Sequence, residues 1–232
     1  MDSPNYARHA FSAELEELEH ELLDMASRAE SMVRMAIDAL DRLDPEVAYE
    51  VIIRDDEIDE RDIEIEARCL RLLALQHPMA SDLRAVGTAM KMITDIERIG
   101  DLSVDIAKAA LKIEKELGHT DYVDIPRIGG IACQMVRNSL EAYVRRDLEM
   151  VAMVCKEDDL VDQLYRDLRS QLHEKMKQDP AQVVSASWLL LAIHHIERIA
   201  DHAVNIAERV SFLVTGKLQQ LATSHRSDLP NA

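Results

Sequence analysis

The sequence predicts an all-α protein built from two copies of a three-helix unit, and three observations carry this prediction. Only 3% of the 232 residues are aromatic, and the whole chain contains 6 Gly and 6 Pro. Sheets and tight turns need more of these residues, whereas an apolar fraction of 47% is ample for a core. Apolar positions recur every three or four residues over long stretches, as in helices. Finally, the nine-residue segment 93–101 recurs at 193–201.

The first half of the chain predicts three long helices, at residues 12–43, 45–77 and 81–117. Asp44-Pro45 is typical of an N-cap residue followed by proline at the first helical position, so the second helix is expected to begin there. His77-Pro78 is expected to end it. Gly118 is expected to supply a left-handed cap after the third helix.

The second half repeats this arrangement, with helices predicted at 127–146, 148–177 and 180–215. Asp179-Pro180 begins the sixth helix as Asp44-Pro45 begins the second, and Gly216 is expected to close it. We therefore assign residues 1–118 to the first repeat and 119–218 to the second. Residues 219–232 are polar and are expected to form a frayed tail.

The charge of the chain limits the classes of partner. It carries 44 Asp and Glu against 27 Lys and Arg, a formal net charge of −17. This charge disfavours nucleic acid and anionic membrane surfaces, and it favours metal cations and basic protein surfaces. The longest apolar run, residues 188–193, is too short to span a bilayer, and no apolar leader segment follows Met1. We expect a cytoplasmic protein without direct membrane insertion.

The three cysteines, Cys69, Cys133 and Cys155, are scattered and lack a Cys-x-x-Cys spacing. They therefore predict neither a disulfide framework nor a zinc ribbon.

The repeated motif carries acidic residues at helical spacing. Glu97 and Asp101 are four residues apart on the predicted third helix, and Asp105 lies one turn further. Asp55 and Asp59 form the same pair on the second helix. Residues four apart lie on one face of a helix, and like charges at that spacing repel each other. Two such faces brought together therefore predict a site that a cation neutralises.

The second repeat contains the corresponding pairs Asp158/Asp162 and Glu197/Asp201. On the last of these faces, His194 and Asn205 are additional candidate ligands, and Asn205 replaces the equivalent of Asp105. Oxygen-rich sites favour ions such as Fe(III), Mn(II), Mg(II) or Ca(II), and an imidazole shifts the preference toward iron or zinc.

A simpler interpretation stays open for any single acidic pair. Such pairs arise by chance in an acidic chain, form solvated helix faces, or pair with neighbours such as Arg98 and Arg198. The occurrence of the pairs on two helices of each repeat favours metal binding. Glu17-x-x-His20 resembles half of a di-iron motif, but a second copy on a suitable helix is missing. We interpret it as coincidental and predict no catalytic residues.

The chain resembles the PhoU family of bacterial regulators of phosphate uptake, from about His9 to Gly216. The resemblance rests on four segments: Ala80-Ser81-Asp82-Leu83-Arg84, Ile96-Glu97-Arg98-Ile99-Gly100-Asp101, Val161-Asp162-x-x-Tyr165 and His195-Ile196-Glu197-Arg198-Ile199-Ala200-Asp201. Ala200 departs from the glycine that is usual in this motif.

The resemblance implies two tandem three-helix bundles, a homodimer, and multinuclear iron or zinc clusters in some members. The first cluster would use Asp55, Asp59, Glu97 and Asp101, with Asp105 as an addition, and the second would use Asp158, Asp162, Glu197 and Asp201. It further implies a non-enzymatic negative regulator of the phosphate-starvation (Pho) regulon. Such a protein would connect the ATPase subunit of a phosphate ABC transporter to a PAS-containing sensor histidine kinase.

Two other functions stay open at this stage. One is a di-iron-type bundle enzyme or metal store. The other is a helical interaction module whose carboxylates only keep it soluble.

Overall fold

The computed structural model describes residues 4–76, 79–116 and 123–221. In these ranges the backbone is almost entirely α-helical and contains no strand, which confirms the all-α prediction. The helices are α1 (Pro4–Arg42), α2 (Pro45–Gln76), α3 (Ala80–Lys115), α4 (Ile125–Arg145), α5 (Leu148–Gln178) and α6 (Val183–Thr215).

Aspartate side chains cap the N-termini of the helices that follow turns of the chain. The Asp44 carboxylate accepts hydrogen bonds from the backbone N–H groups of Glu46 (2.9 Å) and Val47 (3.3 Å), as its N-cap assignment predicts. Asp124 and Asp147 cap α4 and α5 in the same way. Each carboxylate satisfies N–H groups that have no partner within the helix.

The helix ends also follow the sequence, with three differences. Gly216 adopts the expected left-handed conformation at the end of α6 (φ 71°). Pro180–Gln182 form a 3-10 turn before α6, because the Asp179 carboxylate binds the N–H of Ala181 (3.1 Å) and tightens the chain there. α1 begins eight residues before Ser12, and α4 begins at Ile125 instead of residue 127. The predicted cap at Gly118 lies outside the described residues.

The six helices pack as two groups of three. α1, α2 and α3 contact one another, as do α4, α5 and α6, and the most extensive contact joins α3 to α6. These two helices run antiparallel, because Asp95 binds Asn205 while Asp105 lies beside His195. The duplicated motif therefore sits at the pseudo-twofold centre of the fold.

The boundary predicted at residue 118 falls between Glu116 and Val123, outside the described ranges. Of the predicted tail, Leu221 donates its backbone N–H to the Glu208 carboxylate, and residues 222–232 are not described.

Helix α6 is unusually apolar. By length and composition, the segment Pro180–Thr215 is apolar enough to cross a membrane, and it is the one such segment in the part of the chain that the structure describes. In the fold, α6 contacts α3, α4 and α5. Several of its apolar residues, such as Leu189, Ile196 and Val210, are fully buried there, so the bundle core accounts for part of this composition, whereas Val184 and Leu191 are exposed.

Candidate metal centre

The first carboxylate cluster forms where α2 packs along α3. Asp55 and Asp59 project from α2, and Glu97 and Asp101 project from α3. The charges of Asp59 and Asp101 act on Asp55, and those of Asp101 and Asp59 act on Glu97. The structure therefore brings both predicted acidic pairs of the first repeat into one electrostatic cluster, which we call the α2–α3 carboxylate row.

Asp55 is the most perturbed member of this row. Burial raises the pKa of its carboxyl group to about 6, with further increases from Asp59 and Asp101, while Lys108 opposes the shift. Its Oδ1 atom is buried and has no hydrogen-bond partner. A buried anionic oxygen without a partner is costly, so this atom favours a cation at the row.

Glu97 and Arg98 show how the protein balances the row. Burial raises the pKa of Glu97, as does the charge of Asp101, whereas Arg98 lowers it. The Arg98 guanidinium binds Asp101 at 2.5 Å and lies 3.3 Å from Glu97. Arg98 therefore does pair with its acidic neighbours, as the simpler interpretation expects. Its positive charge offsets part of the negative charge of the α2–α3 carboxylate row.

Asp62 also belongs to the row, although we did not predict it. Burial raises its pKa, followed by the charges of Glu66 and Asp59, and Arg98 lowers it. Asp62 in turn contributes to the raised pKa of Glu97. The three-residue spacing of Asp59 and Asp62 places them on one helix face and could have revealed it. The duplication hid it, because Tyr165 stands at the corresponding position of the second repeat.

Asp105 lies toward α6. Its carboxylate is 3.9 Å from the Lys108 ammonium. Burial lowers the pKa of His195 on α6, and the charge of Asp105 opposes this shift across the α3–α6 contact. Asp105 also lines a cavity of about 470 Å³ between these helices, together with Trp188 and Leu191.

The second set of predicted ligands lies on α5 and α6, which pack against each other. Asp158 is 2% exposed, and Asp162, Glu197 and Asp201 are partly buried. His194 Nδ1 lies 3.2 Å from Glu197 Oε2, and the His194 ring is 5.8 Å from the Tyr165 ring. We call this set, with His194, the α5–α6 row.

Burial lowers the pKa of His194, Arg198 lowers it further, and Asp201 opposes the shift. A neutral imidazole at neutral pH has the lone pair that a metal ligand needs.

Asn205 and the Glu17-x-x-His20 segment have other partners. The Asn205 amide donates to Asp95 Oδ1 at 3.1 Å across the α3–α6 contact. Glu17 binds Arg68 of α2 at 2.6 Å. Because Glu17 is engaged in this ion pair, the structure agrees with our interpretation that the Glu17-x-x-His20 motif is coincidental.

The side chains of both rows match hard cations by charge and donor type, but they do not converge. Among the described residues, no group of three His, Cys, Asp or Glu side chains meets at one point as a metal ion requires. Aspartate and glutamate side chains rotate at little cost when they are partly exposed. The α2–α3 row therefore fits a metal only through the unpartnered Asp55 oxygen and the repelling carboxylates around it, and its side chains would have to rotate upon binding.

Comparison with known proteins identifies the family. The family model of the PhoU domain matches residues 22–110 and again 125–210, one match in each group of three helices. A phosphate-specific transport system accessory protein PhoU homolog of Clostridium acetobutylicum is 40% identical over 211 residues, which cover 90% of this chain and 96% of that protein.

Two crystal structures share the fold. PhoU from Pseudomonas aeruginosa superposes with a TM-score of 0.87 at 36% identity, covering 89% of this chain and all of that one. The phosphate transport system regulatory protein PhoU from Streptococcus pneumoniae gives a TM-score of 0.83 at 32% identity, covering 90% and 99%. The relatives are named as accessory and regulatory proteins and not as enzymes, in agreement with the prediction of a non-enzymatic protein. On the repeated acidic motif, the six-helix fold and these matches, the chain belongs to the PhoU family.

Proposed function

We propose that this chain is a cytoplasmic negative regulator of phosphate uptake and of the phosphate-starvation regulon. In this role it acts as a metal-binding adaptor between the ATPase subunit of a phosphate ABC transporter and a PAS-containing sensor histidine kinase, and it works as a homodimer. The names of its relatives, which are accessory and regulatory proteins of phosphate transport, support the regulatory part. The two named partners and the dimer are what the family resemblance implies.

The observation that carries the metal part is Asp55. Its buried Oδ1 atom has no hydrogen-bond partner, and its carboxyl pKa is raised first by burial and further by the neighbouring carboxylates. A bound cation removes this repulsion and stabilises one arrangement of α2 against α3. Carboxylates suit iron, zinc, manganese and magnesium alike. Iron or zinc is the first choice, because His194 adds an imidazole to the second row and an imidazole favours these two metals.

Elemental analysis of purified protein tests metal binding. We expect metal in the wild type, and separate losses in Glu97→Gln/Asp101→Asn and Glu197→Gln/Asp201→Asn. Glu60→Gln/Glu64→Gln is the matched control, because it removes an exposed acidic pair with the same spacing from α2. The metal assignment would be overturned if the wild type, even after incubation with iron, zinc or manganese, held no more metal than each of the three variants.

A reporter assay tests the regulatory part separately. In a bacterial host without its own PhoU protein, the wild-type chain is expected to repress a phosphate-starvation promoter at high phosphate. The two metal-row variants should lose this repression, while the control pair keeps it. Repression by every variant would show that regulation does not need the carboxylate rows.

The alternative of a di-iron enzyme or metal store has less support. A di-iron bundle needs two Glu-x-x-His motifs, and Glu17 of the candidate motif is occupied by Arg68. An oxidase assay on iron-loaded protein discriminates this alternative, because turnover is expected only from an enzyme.

A further inference from the structure

Helix α2 has a second apolar face, opposite to the one that packs in the core. Tyr49, Ile53, Ile63 and Leu70 are 59%, 71%, 67% and 53% exposed. At about 100° per residue, these four positions fall within an arc of roughly 100° along the helix. The core residues of α2, including Ile58 and Ile65, lie on the other side and are fully buried. We call the four exposed residues the outer stripe of α2.

The fold itself does not require this stripe. The second repeat has the same core positions on α5, for example Val161 where the first has Ile58. Yet the residues of α5 that correspond to Ile53, Ile63 and Leu70 are Lys156, Arg166 and His173. Because α5 folds with polar side chains there, the stripe of α2 calls for an explanation other than folding. The four residues form two exposed apolar pairs, Tyr49/Ile53 and Ile63/Leu70, on one helix face, and exposed apolar residues that are grouped in this way mark a candidate binding surface.

The charge around the stripe indicates what covers it. Asp56 and Glu60 lie within its arc and are exposed. Helix α2 carries 10 acidic residues against 4 arginines, whereas α5 carries 7 against 5 basic residues. An apolar stripe in an acidic field is complementary to a helix with one apolar face and basic flanks.

Two other occupants fit less well. In a symmetric contact between two copies, the same patch faces itself, so Asp56 and Glu60 of both copies would be brought together. An anionic membrane surface is repelled by the net charge of −17. From Tyr49 to Leu70 the stripe is about 30 Å long, which matches a helix of about 20 residues.

We propose that the outer stripe of α2 is a docking site for a basic amphipathic helix of a partner protein. This proposal names the chemistry of one partner of the adaptor and therefore rests on the proposed function. It requires neither bound metal nor phosphate, so its test is independent of the metal measurements.

The probe is a synthetic peptide of about 20 residues, made of leucine and lysine with the leucines on one helical face. A second peptide has the same composition in scrambled order, which keeps its charge and removes the face. Binding of both peptides to the full chain is measured by fluorescence anisotropy, and a photo-crosslinking residue in the apolar face is mapped by mass spectrometry.

The protein variant is Ile53→Gln/Ile63→Gln, which keeps the charge and uses a residue that favours helices. The matched control is Met153→Gln/Leu160→Gln, which removes two exposed apolar side chains from α5. Circular dichroism verifies that both variants fold.

We expect the amphipathic peptide to bind the α2 variant about tenfold or more weakly than the wild type, with less than a twofold change for the α5 control. Crosslinks are expected on α2 between residues 49 and 70. Equal binding of the scrambled peptide, equal losses in the two variants, or crosslinks mainly outside α2 would each overturn the proposal.

Discussion

The Oδ1 atom of Asp55 lies 3.4 Å from the position that a Cβ atom on Gly100 would occupy. Asp55 belongs to α2 and Gly100 to α3, so the carboxylate rests on bare helix backbone between the two predicted ligands Glu97 and Asp101. In the second repeat the equivalent of Gly100 is Ala200, which is fully buried. The second repeat therefore carries a buried methyl group at the position where the first repeat leaves room for the Asp55 carboxylate.

The position of Asp55 predicts a pH-dependent change in stability. Its folded-state pKa is about 6 against an ordinary 3.8, so folding favours the protonated acid. The free energy of unfolding therefore falls as pH rises from about 4 through about 6, and the full penalty applies above that range. After a discount for partial exposure, we expect Asp55→Asn to stabilise metal-free protein by about 1–2 kcal/mol at neutral pH, and by little near pH 4.

Urea unfolding in a chelator at both pH values measures this effect. Asp56→Asn is the control, because it removes the same charge from an exposed neighbouring position. An equal gain in the two variants, or a gain that does not depend on pH, would show that Asp55 is not desolvated.

The contact between α1 and α4 predicts opposite effects of two neighbouring substitutions. A Cβ atom on Gly129 would lie 2.7 Å from Ile37, whereas nothing lies within 4 Å of one on Gly130. We expect Gly129→Ala to destabilise the protein by about 1–3 kcal/mol through overpacking. Gly130→Ala is expected to stabilise it by about 0.5–1 kcal/mol, because alanine favours the helix. Thermal unfolding of both variants decides the matter, and a shift of the same sign would contradict the close approach.

The sequence predicts the fold well where local chemistry determines it. The Asp-Pro pairs at residues 44 and 179 begin new helical segments, and Gly216 ends α6, because capping depends on neighbouring backbone groups. The sequence could not reveal why Gly129 is needed, because Ile37 lies on another helix.

The candidate site shows the same division. Four-residue spacing and duplication predict which carboxylates share a face, and in the first repeat the structure brings the two pairs together. We did not predict Asp62, because we looked for acidic residues present in both repeats and its counterpart in the second repeat is Tyr165. By its spacing alone, Asn205 is a candidate ligand of the second row. In the structure its amide donates to Asp95, more than 100 residues away in the sequence.

The surroundings of His194 predict a contribution to zinc binding in the α5–α6 row. Burial lowers its pKa and keeps the imidazole neutral, 3.2 Å from Glu197. In a Glu97→Gln/Asp101→Asn background, where the second row alone binds metal, we expect His194→Gln to weaken zinc affinity about tenfold or more. Competition with a chromophoric chelator measures it. His195→Gln is the matched control, and an equal loss there would exclude a specific role for His194.

A largely buried polar cluster around Asp95 lies at the centre of the fold. Asp95 Oδ1 accepts from the Asn205 amide at 3.1 Å and lies 2.9 Å from His202 Nδ1, with both the aspartate and the histidine largely buried. Removing the Asp95 carboxylate leaves the side chains of His202 and Asn205 on α6 without this hydrogen-bond partner. Asp95→Ala should therefore lower the free energy of unfolding by about 1–3 kcal/mol.

Asp105 provides the control, because it occupies the pseudo-symmetric end of the same contact and its side chain is 48% exposed. Asp105→Ala in metal-free protein is expected to change stability by about 0.5 kcal/mol or less. Urea denaturation of the two variants measures the difference. If both lose the same amount, the α3–α6 contact does not depend on the buried cluster around Asp95, and apolar packing along these helices holds the two repeats together.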